Sequence, residues 1–217
     1  MTKTNTYFDL RSACSQPGCP VCRIEQSAVR HFLDALLYEQ VNDPKVRDHL
    51  RASFGFCQEH AWMAADDLRG NALGLAIIYD DILGAALDQL GAPPAGRGRS
   101  SVPHRPCPAC EQRKTTGHRT ISVLAEHASD SDLTSALRSS DGLCLPHLRL
   151  ALNEVRDAAA RESLLALHRE RFARLRAELA EFIRKNDYRF MHEKTGAEGD
   201  SWRRAIGVVA GSKFVDR

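Results

Sequence analysis

Four short motifs constrain this chain more tightly than anything else in it. Cys19-Pro-Val-Cys22 is followed by Cys57-Gln-Glu-His60, and Cys107-Pro-Ala-Cys110 is followed by Cys144-Leu-Pro-His147. Each C-x2-C with a C-x2-H supplies three thiolates and one imidazole, a full donor set for one metal ion, and the sequence contains that set twice. A chain that must converge four side chains on one point, two times, has few folds open to it.

The motifs sit inside a duplication. Residues 34–60 match 121–147 without a gap at an offset of 87: Glu39 meets Glu126, Asp43 meets Asp130, Leu50 meets Leu137, Ser53 meets Ser140 and Gly55 meets Gly142. The C-x2-C pairs lie at an offset of 88, so one residue is gained or lost in the helix that follows the first pair. The expected architecture is therefore all-α: two tandem helical repeats, each with a Cys3His site, plus a long helix and an irregular C-terminal tail. The boundaries read as a polar lead over 1–18, a first repeat over 19–90, a Pro/Gly/Ser linker over 91–106, a second repeat over 107–186 and a tail over 187–217.

Within the first repeat, Ile24, Ala28, Phe32, Leu36 and Leu37 recur at three- and four-residue spacing and mark an amphipathic helix over 23–41. Asn42-Asp43-Pro44 starts a short second helix, with Asp43 as cap, that stops near Gly55. Cys57 and His60 open a third, three residues apart and so on one face of one turn. Residues 71–90 form the most apolar stretch, with Leu75, Ile78, Ile82, Ala86 and Leu90 as candidate core. The second copy repeats this order with a weaker first helix over 119–127, a cap at Ser129-Asp130 and inward Leu133 and Leu137. Its last helix runs from Ala158 to Lys185 and carries Leu165, His168, Phe172, Leu175, Leu179 and Phe182 as a seam, either packed on the rest of the chain or pairing two copies. Asp200-Ser201 caps a final short helix bearing Trp202, Ile206 and Val209.

Thiolate and neutral imidazole suit tetrahedral zinc, and four protein ligands leave no position for water, so two structural zinc ions per chain are expected. Three cysteines and a histidine also hold iron–sulfur clusters, and two such clusters for electron transfer are the alternative. Redox dithiols of thioredoxin type fit poorly, because neither C-x2-C lies in a βαβ context. Local pairing, Cys19 and Cys22 with Cys57 and His60, is preferred over crossed pairing between the copies. Arg23 and Arg149 are candidate neighbours for the charge of each centre, and Cys14 is expected to be a half-exposed thiol outside both sites. His104 and His118 flank the second cysteine pair and are the substitute ligands to consider; the other histidines read as surface or packed residues.

Composition narrows the function. Thirty basic against 28 acidic residues, mixed along 217, give a net charge of +2 and no global field for nucleic acid or membrane. The interleaved Glu162, Glu170, Glu178 and Glu181 make the Arg-rich long helix a solvated face. The N-terminus lacks an apolar signal region and no apolar run is long enough for a membrane span, so a cytoplasmic location is expected. No nucleophile–base pair, Walker loop or dinucleotide fingerprint appears, which favours a non-enzymatic binding module with a protein partner, or a homodimer through the long helix.

The combination of the two Cys-Pro-x-Cys motifs, Gly55-Phe56-Cys57-x-x-His60-Ala61-Trp62, Gly142-Leu143-Cys144-Leu145-Pro146-His147 and the segment from Asp187-Tyr188-Arg189-Phe190 to Asp200-Ser201-Trp202-Arg203-Arg204-Ala205 resembles an uncharacterised bacterial protein family. The resemblance spans nearly the whole chain and implies the eight ligand positions without implying a reaction. Its reach into the tail implies that Tyr188, Arg189, Trp202 and Arg203 fold back onto the metal domain or a partner.

Overall fold

A computed structural model describes residues 2–66, 72–91, 105–190 and 192–212. The described residues form α-helices joined by turns, with one 3-10 turn and no strand. The helices are α1 (Asn5–Ala13), α2 (Pro20–Glu39), α3 (Pro44–Ser53), α4 (Gln58–Asp66), α5 (Ala72–Gly91), α6 (Pro108–Glu126), α7 (Ser131–Ser139), α8 (Leu145–Glu154), α9 (Ala158–Lys185) and α10 (Ser201–Ala210); the 3-10 turn is Ala197–Asp200. The order α2–α5 is repeated as α6–α9, as the duplication predicts. Most of the predicted linker, residues 92–104 with His104, lies outside the described residues.

The local signals act as expected. Asp43 accepts hydrogen bonds from the backbone N–H of Lys45 (2.8 Å) and Val46 (3.0 Å) at the start of α3, and Asp130 accepts from Leu133 (3.0 Å) at the start of α7. Pro20 and Pro108 occupy the first positions of α2 and α6, where a missing N–H costs nothing. Two elements differ from the sequence reading. The polar lead contains α1, whose Tyr7 and Leu10 are fully buried. The weak helix expected over 119–127 is the second half of α6, which begins directly after Cys107 and carries Thr116 buried within it.

The chain divides into two compact units that do not coincide with the two repeats: Met1–Ile24 with Thr116–Arg217, and Glu25–Thr115. Helices α2 and α6 each begin in one unit and end in the other.

In the first unit, Tyr7, Leu10, Val21, Ile121, Leu133 and Leu143 belong to one buried cluster. Tyr7 donates its hydroxyl to Asp130 (2.7 Å) and meets His127 edge to face, which ties α1 to the start of α7. The 3-10 turn packs on α9, and α10 packs on α8 and α9, with Lys185 on Glu198 (2.8 Å) and Arg204 on Glu178 (2.6 Å). The tail does return to its own unit, but not by the residues expected to hold it. Tyr188 is 83% exposed, Arg189 pairs with the adjacent Asp187 and Arg203 lies over Trp202, whereas Glu198 and Ser201 are buried. Of the long-helix seam, His168 is buried and Leu165, Phe172, Leu175, Leu179 and Phe182 are half-buried.

In the second unit, Leu33, Leu36, Leu37, Leu50 and Ile78 are buried. Arg47 (3.1 Å) and Arg51 (2.7 Å) from α3 both reach Asp81 on α5, so this carboxylate clamps the two helices together. Ile78 and Ile82 are core residues, but Leu90 is 83% exposed, as are Leu73, Leu83 and Leu87 to a lesser degree.

Candidate metal centres

All four motifs are helix N-termini. The carbonyls of Cys19, Cys57, Cys107 and Cys144 accept the first helical hydrogen bonds, from Arg23 (3.2 Å), Ala61 (2.8 Å), Glu111 (3.1 Å) and Leu148 (2.8 Å). The first cysteine of each motif is therefore the capping residue, and the second ligand lies one turn in, on the same side. Backbone N–H groups left unpaired there, and the helix dipole, favour negative charge on sulfur.

These ends meet in two clusters. Cys19, Cys22, Cys144 and His147 bring four ligand atoms within 4.8 Å of one another, and so do Cys57, His60, Cys107 and Cys110. All eight residues predicted from the motifs are used, and the first cluster lies in the first unit and the second in the second. The pairing is crossed: each C-x2-C is completed by the C-x2-H of the other repeat. Local pairing, preferred on the sequence, is thereby corrected. Local closure joins a 42-residue segment while Cys19 to His147 spans 128 positions, yet the extra loop entropy amounts to only about 1 kcal/mol. Packing decides against so small a bias.

The geometry is that of a coordination shell. Nδ1 of His147 lies 3.5, 3.4 and 3.1 Å from the sulfurs of Cys19, Cys22 and Cys144. Nδ1 of His60 lies 3.2, 3.7 and 3.4 Å from those of Cys57, Cys107 and Cys110. One ring N–H points at one sulfur at a time, and three sulfurs around a single nitrogen form a donor set that could hold one shared cation. The sulfurs themselves are 3.7 Å apart between Cys22 and Cys144, and 3.6 Å between Cys57 and Cys110. Each cluster can hold one metal ion.

Acidity is unevenly shared among the thiols. Hydrogen bonds from Cys144 and Cys19 hold Cys22 far below the usual thiol range, while burial pushes Cys19 well above it. Burial pushes Cys110 up to about 12. Three adjacent thiolates repel one another, and a cation among them supplies the charge that lets all three ionise. Burial also lowers the basicity of His60, which keeps the imidazole neutral as a ligand must be.

The turns that deliver the ligands are tied together. At the first centre Gly18 N–H donates to Asp141 (2.7 Å), joining the turn before Cys19 to the turn before Cys144. At the second, Arg105 N–H donates to Ala52 O (3.0 Å), and His49 bonds to Pro106 O (3.3 Å). Gly55 and Gly142 precede the C-x2-H motifs with φ of +85° and +81°, and Ser53 and Ser140 are buried beside them. Leu143 N–H donates to Nε2 of buried His168 (2.8 Å), whose Nδ1–H donates to Leu164 O (2.7 Å), so this histidine sets the backbone next to Cys144. No motif marks His168 for that role.

The remaining candidates stay outside both clusters. Arg23 donates to Pro17 O within the turn before Cys19. Cys14 is buried, 3% exposed and not half-exposed as expected, with burial pushing its thiol up to about 11. His118 is exposed and belongs to neither cluster.

Comparison with known proteins gives kinship without a reaction. The chain is 29% identical over 199 residues to an uncharacterised 23.9 kDa protein in the xynA 3′ region of Caldicellulosiruptor sp. (strain Rt8B.4), covering 90% of this chain and 96% of that protein. No solved structure matches. No helix among the described residues is long and apolar enough to cross a membrane. Over residues 7–93 and 99–216 the sequence fits the model described as a family of unknown function (DUF6062), and the chain belongs to that family.

Proposed function

We propose that both centres bind zinc and that the protein is a zinc-stabilised helical binding module, not an enzyme. The observation that carries the reading is the size of the donor shells. Zinc with bonds of about 2.3 Å to sulfur and about 2.0–2.1 Å to nitrogen sets tetrahedral edges of about 3.5 Å for N···S and about 3.8 Å for S···S. The N···S separations here are 3.1–3.7 Å, the S···S pairs Cys22–Cys144 and Cys57–Cys110 are 3.7 and 3.6 Å, and no two ligand atoms of a set are more than 4.8 Å apart. An iron–sulfur cluster places several irons and sulfides between its ligands and spreads them wider than the 4.8 Å that contains each set. Four protein donors fill a tetrahedron, which supports a structural role in which metal binding free energy is folding free energy. The exposed apolar side chains Trp62, Leu83, Leu87 and Leu90 are consistent with a partner surface.

Metal analysis with an absorption spectrum, on protein purified without oxygen, tests this. Two zinc ions per chain and no visible band are expected. Iron with acid-labile sulfide and a band near ~400 nm would replace the reading with electron transfer.

A further inference from the structure

The two centres have the same ligands and different surroundings. At the first, Cys19, Cys22, Cys144 and His147 are all buried. The turn that follows α10 closes over it: Ser212 N–H bonds to the Cys22 sulfur, and the Cβ position of Gly211 is 3.5 Å from the same atom. Gly211 has a φ of +91°, and Ser212 Oγ lies 3.2 Å from the Cβ position of Gly18, so α10 ends in a turn that reaches both sides of the Cys19–Cys22 loop. At the second centre Cys57 and Cys110 are part-exposed, and their sulfurs are neighbours at 3.6 Å. Among the described residues no comparable turn closes over it. Attack on a metal-bound thiolate, by oxidant or competing ligand, needs access to sulfur, so equal ligands do not imply equal reactivity.

We infer that the second centre is a reactive, exchangeable metal site whose Cys57 and Cys110 are the points of oxidation, while the first centre is a permanent one sealed by the Gly211–Ser212 turn. The inference rests on both centres holding zinc. With hydrogen peroxide as oxidant, one of the two thiolates attacks a peroxide oxygen, forming a sulfenic acid as the O–O bond breaks and the departing hydroxide takes up one proton as water. The second thiolate then attacks that sulfur, displacing hydroxide that takes up another proton as water. Two thiolates, one peroxide and two protons thus give one disulfide and two waters, the ion is released, and a dithiol reductant reverses the step. Because Cys57 comes from one repeat and Cys110 from the other, oxidation exchanges a metal link for a covalent one between the same two helix ends.

The test uses the full metal-loaded chain. Its metal content, measured first, decides the zinc reading by itself. Hydrogen peroxide is then added with a chromogenic zinc indicator, followed by peptide mapping under non-reducing conditions. One equivalent of zinc leaves at least about tenfold faster than the second, with a Cys57–Cys110 linkage and recovery on adding dithiol and zinc. In a chain ending at Ala210 the second equivalent accelerates to match the first. Simultaneous loss of both ions from the full chain, earlier loss from the first centre or retention of both overturns the proposal, as does a Cys107–Cys110 linkage for the assigned pair. Slow second release that persists in the shortened chain overturns the seal. Chelation by ethylenediaminetetraacetate provides an oxidant-free measure: the same two-step release supports the inference, and a single step overturns it.

Discussion

His168 shows how one side chain outside the ligand set governs a metal centre. Its Nδ1–H is committed to Leu164 O and its Nε2 accepts from Leu143 N–H, so only the neutral ring satisfies both partners. Burial accordingly holds it below the ordinary histidine value of 6.5. Between 6.5 and that lower value the unfolded chain binds a proton that the folded chain refuses, so stability is lost as pH falls through the window. His168→Gln, which keeps an acceptor but does not titrate, flattens the pH dependence of urea unfolding by about one proton; protonation of the metal ligands contributes the same slope in both proteins. His168→Ala strands the Leu143 N–H and opens a cavity, at a cost of about 2–4 kcal/mol. Equal pH slopes for the wild type and the Gln variant would remove His168 from this role. The eight ligands were legible because coordination admits few residue types at few spacings. An acceptor for one buried amide admits many types at any spacing, which is why His168 was legible only as a packed histidine.

The turn that leads into the third helix of each repeat keeps its glycine in both copies, although α3 closes on a left-handed Phe54 and α7 on an extended Ser140. Gly55 and Gly142 both lie in the left-handed region, and a Cβ there would meet Ile82 Cδ1 at 3.0 Å in one case and His168 Nε2 and Arg171 Nη1 at 3.0 Å in the other. Alanine at either position therefore costs backbone strain plus contact, about 1–3 kcal/mol. Gly142→Ala is expected to cost more, because it displaces the histidine that fixes Leu143, and Gly55→Ala presses only on the end of a flexible isoleucine. Thermal unfolding of the two metal-loaded variants checks the order, and Gly55→Ala emerging as the more damaging would contradict it. Elements marked by caps and turn residues, such as α3 and α7, were readable for the same reason these glycines are: the backbone demands them. Helix α1 was not, because Tyr7, Leu10 and Ala13 are only three buried residues among polar ones, a stripe too short to register as periodic. The first half of α6 was hidden by Thr115-Thr116-Gly117, poor helix formers that long-range packing overrides.

The crossed pairing changes what a repeat is. Sequence divides the chain at a linker into two similar halves, but each centre draws two ligands from each half, and α2 and α6 belong to both compact units. Neither half carries a complete centre of its own. No local pattern carries this information: spacing within a motif reports which residues ligate, while the choice of partner motif depends on how the helices pack, at an entropic difference of only about 1 kcal/mol. The consequence is a distinctive count of retained metal when ligands are removed in pairs. Cys57→Ser with Cys107→Ser damages one centre twice, so the protein keeps about one ion after dialysis against a chelator, held by Cys19, Cys22, Cys144 and His147. Cys19→Ser with Cys57→Ser damages both centres and leaves none. Local pairing predicts the reverse for each variant, since Cys19 and Cys57 would then share an ion and Cys57 and Cys107 would not. The two doubles remove the same number of thiols, so the contrast cannot arise from a general weakening of the protein by lost cysteine. One ion retained by the Cys19/Cys57 variant and none by the Cys57/Cys107 variant would refute the crossed arrangement, and with it the assignment of one centre to each unit.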